Sequence, residues 1–163
     1  MRSTTSHDLA AVCKFTPGDL NNFLKRYVHP DIIPEVAPGH RRPISERAAK
    51  VAVFAVEARD AGFSPEQVRA ITRRHFRAIE RDDAIAAVLT KDGGCQIVTS
   101  VEVSALTIEE LLMPYAQAGQ RWVRVILMRD LKSKVELALN TTERGTKARV
   151  DLLDMLQEHR AKH

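Results

Sequence analysis

The tetrapeptide Ser64-Pro65-Glu66-Gln67 constrains this chain more than any other stretch of it. A serine hydroxyl can accept from the backbone N–H three residues on, and a glutamine there can reach back to the serine N–H. Proline is suited to the first helical position because its φ is already helical and its missing N–H would have had no partner. The spacing therefore predicts a helix beginning at Pro65, along which Val68, Ile71, His75 and Ile79 recur on one stripe with Phe76 beside it. Just upstream, Ser45 to about Ala61 reads as another helix, rich in alanine and valine with Phe54 among them and ended by Gly62. Such small apolar residues imply close packing.

Before these helices, Asp8 to Lys14 reads as a short helical turn. "FTPGDLNNFLKRYV" then reads as a capped helix offering Phe15, Leu20, Phe23, Leu24 and Tyr27 to a core. Pro30, Pro34 and Pro38 forbid a continuous helix in the segment that follows. In "GHRRPIS", Gly39 can take positive φ, so His40, Arg41 and Arg42 project as one cluster of donors suited to phosphate oxygens. Ser45 can cap the next helix, whose first turn carries Glu46.

Beyond Asp83 the pattern becomes mixed. "AIAAVLT" and "CQIVTS" flank "KDGG" and read as two strands of a hairpin. "TIEELLMPYAQAG" reads as a short helix broken near Pro114 or Gly119, and "WVRVILM" as a buried strand. A helix through "LKSKVELAL" and a separate last helix from Thr146 to about Arg160 complete the chain, with Val150, Leu153 and Leu156 as apolar anchors of the latter. No internal repeat is evident.

Charge separates the halves. Residues 1–81 carry 14 Lys/Arg against 9 Asp/Glu, whereas residues 82–163 carry 11 against 12, so a polyanion partner fits the first half. Aromatic residues make up only 5%, too few for a surface of stacking platforms, which disfavours single-stranded nucleic acid. Cys13 and Cys95 lie far apart with no metal-ligand spacing, so neither zinc nor a disulfide framework is indicated and a reducing cytoplasm fits. No window is apolar enough to cross a membrane. The sequence has no phosphate-cradling glycine loop, nucleophile elbow or metal motif, so no enzyme, catalytic residue or cofactor is expected. His75 reads as a core or interface residue, and Trp122 as a packing anchor or, with Tyr115, part of a small pocket.

Phe15, Thr16, Gly18, Asp19 and Leu20, then Gly39, Arg41, Arg42, Ile44 and Ser45, then Gly62, Phe63, Ser64, Glu66, Gln67 and Val68 follow an order that resembles the DNA-binding region of MerR-like winged-helix transcriptional regulators. The resemblance covers about a third of the chain. It implies an N-terminal winged helix-turn-helix-like helical domain over 1–82, which together with the small mixed α/β module and C-terminal helix read from the pattern over 83–163 makes an α+β protein. It also implies a homodimer that binds double-stranded DNA. The interval between Leu20 and the wing is too short for two helices, leaving Asp19 to Tyr27 either as the reading helix or with the first helix merged into it. The second half shows no long uninterrupted helix of the kind such regulators use to dimerise.

On this resemblance Asn21, Asn22, Lys25 and Arg26 would face the major groove, and Lys14 and Thr16 would support phosphates. His40, Arg41 and Arg42 would follow the backbone or enter the minor groove. Arg69, Arg73, Arg77 and Arg81, with Arg74 beside them, form a stripe able to meet phosphates, to pair with Glu66, Glu80 and Asp82, or to face water. The competing reading is a protein-interaction adaptor, antitoxin-like or a phage-type accessory factor, that captures a protein partner through the hairpin edge near Cys95 to Ser100.

Overall fold

A computed structural model describes residues 2–33, 43–100, 108–117 and 122–161, the last stretch by side chain as far as 148. Within them the protein is mixed α+β, with six helices and two small antiparallel sheets. Strand β1 (Ser3–Thr5) leads into α1 (Ser6–Val12) and α2 (Pro17–Tyr27). Strand β2 (Pro43–Ser45) leads into α3 (Glu46–Asp60) and α4 (Pro65–Glu80). Then come β3 (Ala84–Thr90), β4 (Cys95–Thr99), α5 (Ile108–Gln117), β5 (Val123–Leu127) and α6 (Met128–Ala161).

The two leading segments are built alike, a repeat that the sequence reading missed. Strands β1 and β2 pair antiparallel, with Thr4 opposite Ile44. Thr5 caps α1 through the Asp8 N–H as Ser45 caps α3 through that of Ala48. The turn between helices then recurs 48 positions on, bond for bond. Phe15 N–H donates to Ala10 O at 2.9 Å as Phe63 N–H donates to Ala58 O at 3.2 Å, and Leu20 N–H reaches Thr16 O as Val68 N–H reaches Ser64 O. Both turns need one left-handed residue: Lys14 (φ 59°) in the first and Gly62 (φ 93°) in the second. The extra eight residues lie in α3, about two further turns, and this insertion hides the repeat from a fixed-period search.

Helix α3 is the centre of the molecule. Ala49 to Val56 are all buried along it, because alanine and valine let the neighbouring elements approach closely. One apolar core takes side chains from Leu9 to Leu139. Lys50 is admitted to it only because its ammonium reaches Asp82 Oδ1 at 3.0 Å and Glu46 Oε1 at 3.6 Å at the edge.

The second sheet has the order β4-β3-β5, so the near-continuous apolar run of β3 is central and covered on both faces. A register shift between Ala84 and Ala86 turns Ala84 to the main core with Ala87 and Leu89. Ala86 and Val88 face the other side, where Val98, Leu112 and Tyr115 cover them. The predicted hairpin is present, with Gly93 at φ 90°.

Helix α5 (Ile108–Gln117) contains Pro114 without a break there, and Gly119, the other expected break point, lies outside the described residues. One expectation is corrected. The two C-terminal helices are one helix of 34 residues, so the second half does contain a long uninterrupted helix. The polar stretch that looked like a break is satisfied internally: Thr141, Thr142 and Thr146 each donate to the carbonyl four residues back. Gly145 sits in open space within it. Its first half buries Met128, Leu131, Val135, Ala138 and Leu139, and Arg2 ties β1 to it through Glu136, Asn140 and Glu143.

Candidate nucleic-acid interface

Helix α2 presents two different faces because its apolar residues fall on one stripe. Leu20, Phe23 and Leu24 are buried, while Asn22, Lys25 and Arg26 are exposed and Asn21 is half-buried at the margin. The buried stripe is held by ring contacts: Phe23 stacks on Tyr27 at 4.4 Å and meets Phe15 tilted at 5.3 Å between centroids. The Arg59 guanidinium sits 4.7 Å and 5.2 Å from the Phe15 and Phe23 rings while bonding Asp60. It joins α3 to the turn before α2, a role that no spacing in the sequence announces.

A separate helix, α1, precedes Phe15 and packs against α2. The short helical turn expected over Asp8 to Lys14 is a seven-residue helix over Ser6–Val12, too short to persist without the packing of its neighbours.

Lys14 is exposed at the left-handed position of the turn. Thr16 is exposed too, but its hydroxyl is committed: it accepts from the Asp19 N–H at 3.2 Å and donates to the Asp19 carboxylate at 2.6 Å. Asp19 also places negative charge at the start of α2, so the cationic part of the face is its C-terminal half, at Lys25 and Arg26.

The α4 arginines do not act as one stripe. Arg69 is half-buried, its guanidinium donating to the Lys25 carbonyl at the end of α2. Its Nε is buried without a partner among the described residues. Arg73, Arg74 and Arg77 are exposed, and Arg81 bonds Asp83 in a fork. The Glu66 carboxyl lies below its usual range because it takes backbone and Ser64 hydrogen bonds, with Arg26 and Arg69 nearby. His40, Arg41 and Arg42 lie outside the described residues.

His75 is half-buried, and burial followed by Arg74 pushes its pKa down. Trp122 packs its ring 5.5 Å from that of Phe63. Tyr115 bonds Gln96 instead of sharing that corner. Burial raises the Cys13 thiol to about 11 and the Cys95 thiol to about 12. Among the described residues no three His, Cys, Asp or Glu side chains gather as metal ligands, and no helix is long and apolar enough to cross a membrane.

No family model, no curated protein and no solved structure matches this chain. The function therefore rests on the arrangement around α2.

Proposed function

We propose that this chain is a sequence-specific double-stranded DNA-binding regulator of transcription that works in the cytoplasm as a homodimer. In this reading α1 and α2 are a helix-turn-helix, α2 lies in the major groove, and the segment with His40, Arg41 and Arg42 is a wing. The observation that carries the reading is the exposed face of α2, with Asn22, Lys25 and Arg26 in a row and Asn21 beside them, on a helix whose opposite face is locked by Leu20, Phe23 and Leu24. Asparagine can bond adenine through two hydrogen bonds and arginine can do the same to guanine. Lys14, Arg73 and the wing arginines supply phosphate contacts that set affinity and register. A dimer offers two such helices to repeated half-sites.

Selection from a random duplex library, followed by anisotropy titrations at several salt concentrations, tests this. Arg41→Ala with Arg42→Ala should lower the salt slope by roughly 2 if each arginine neutralises one phosphate, and Lys25→Ala with Arg26→Ala should weaken binding to the selected sequence more than to a random duplex. Asn22→Ala should leave the slope alone and cost about 1–3 kcal/mol of discrimination at one base pair. A library that yields no enriched sequence, or α2 variants that bind like wild type, would remove the proposal.

A second reading has one observation in its favour. The outer edge of β4 is an edge strand, as an adaptor that adds a partner's strand would require. Capture of a protein partner abolished by Ile97→Pro, with DNA affinity unchanged, would favour it.

A further inference from the structure

The antiparallel register of the second sheet carries Lys91 and Trp122 to one place. Thr90 stands opposite Val123 at the last pair of β3 and β5, so the next residue outward on each strand, Lys91 on one and Trp122 on the other, lies at that end of the sheet. Helix α4 meets them there. The Gln67 side chain donates from Nε2 to the Lys91 carbonyl at 3.3 Å and accepts from the Ser64 N–H at 2.9 Å. It lies so close to the hairpin that a Cβ on Gly93 would stand 3.4 Å from its Cγ. The turn between α3 and α4 closes the other side, with the Phe63 ring 5.5 Å from that of Trp122.

These elements form a cavity of about 320 Å³ lined by Ala61, Gly62, Phe63, Gln67, Lys91 and Trp122. Its volume is that of the smaller pockets that hold organic ligands, which run from roughly 300 to 1,000 Å³. Phe63, 5% exposed, lies at its base. Trp122 is 38% exposed and meets Phe63 tilted by 51° instead of stacked, so the indole keeps a large part of its surface open. Gly62 adds no side chain, and a Cβ there would find nothing within 4 Å. An exposed ring on a convex surface is ordinary, but one that walls a concavity offers its face to a flat apolar molecule.

The polar groups of the lining decide what that molecule carries. The N–H groups of Ala61, Gly62 and Phe63 are spent on the carbonyls of Glu57, Arg59 and Ala58, and both ends of the Gln67 amide are engaged. The Lys91 ammonium is exposed and bonds no group among the described residues. No carboxylate lines the cavity. A cationic donor therefore stands uncommitted beside an open aromatic wall, and its complement is an anion on an apolar ring. We propose that this cavity binds a small flat apolar acid, an aryl carboxylate, with its rings against Trp122 and Phe63 and its carboxylate on the Lys91 ammonium. The site goes beyond the DNA reading and does not depend on it.

Trp122 is the single tryptophan of the chain, so its indole N–H gives one identifiable nitrogen–proton NMR signal. The full chain, without DNA, is titrated with 1-naphthylacetate and with its neutral isostere 1-naphthylacetamide. The acid should move the Trp122 signal and the Gly62 amide saturably, with a dissociation constant of about 1 mM, the modest efficiency of a ligand of this size in an open cavity. The amide should bind about five-fold more weakly, the most that an exposed ion pair contributes. Lys91→Met should abolish that preference and Lys91→Arg should keep it. Trp122→Leu, read at the Gly62 amide, should weaken both compounds by about ten-fold. Should Trp122→Leu disturb the fold, the two substitutions at exposed Lys91 decide the matter. Equal binding of acid and amide by wild type, a preference that survives in Lys91→Met, or Trp122 and Gly62 signals unmoved at about ten times the expected dissociation constant overturns the proposal.

Discussion

Replacing Lys14 by glycine should make the protein more stable and a weaker DNA binder at once. Lys14 holds φ at 59°, a left-handed conformation that costs an L-residue about 1–2 kcal/mol. Glycine removes that cost but loses roughly 0.5–1 kcal/mol to its greater freedom in the unfolded chain. The difference is a gain of about 0.5–1 kcal/mol, or a midpoint rise of up to about 2–4 °C for a chain of this size. The twin turn supplies the reverse experiment. Gly62 has φ 93° and no atom within 4 Å of where a Cβ would stand, so Gly62→Ala reverses the same two backbone terms without a clash and should cost about 0.5–1 kcal/mol. Thermal and urea unfolding read both changes, and the salt slope of DNA binding should fall by about 0.9 in Lys14→Gly if its ammonium neutralises one phosphate. A Lys14→Gly protein less stable than wild type would refute the strain assignment. Unchanged DNA affinity and slope would show that the strained lysine serves no contact.

The other predictions separate structural from electrostatic roles. Arg69→Ala should loosen α2 through loss of the bond to the Lys25 carbonyl, with a stability loss of about 1 kcal/mol, because the charged bond removed is partly offset by relief of the unpaired Nε–H; its salt slope should stay near wild type, whereas that of Arg73→Ala should fall. His75 has a folded pKa below its ordinary 6.5, so as pH falls through about 6.5 the unfolded chain takes up a proton first and stability declines until the folded pKa is reached. His75→Gln should flatten that part of a stability profile measured between pH 8 and pH 5, and an unaltered profile would contradict the burial-driven shift. Cys13 and Cys95, raised to about 11 and about 12 by burial, should react slowly with a thiol reagent at neutral pH and fast after unfolding; rapid modification of the native protein would show that either thiol is exposed.

What could be read from the residues alone was whatever depends on neighbours along the chain. The Ser64–Gln67 cap, the Thr16-Pro17 start of α2, the apolar run of α3 and the glycine turn between β3 and β4 are local agreements between side chain and backbone, and the structure has each where the spacing predicts it. The faces of α2 followed as well, because a period of 3.6 assigns Leu20, Phe23 and Leu24 to one side and Asn22, Lys25 and Arg26 to the other. The break expected in the last helix was an error of the same local kind, since the threonine hydroxyls that favour turns can equally bond within a helix.

Only tertiary structure decided which polar groups are already spent and which strands neighbour one another. Arg69 and Arg73 are the same residue type one turn apart, yet one is bound to a carbonyl of α2 and the other is exposed, a difference set by the packing of α4 against α2. The likeness of the two helix pairs also lies in hydrogen bonds and one left-handed residue apiece, which lysine and glycine can both satisfy at different energy. Strand order puts β4 and β5 at the two sides of β3 among the described residues, because a strand's own residues fix its faces but only the tertiary fold determines its neighbours.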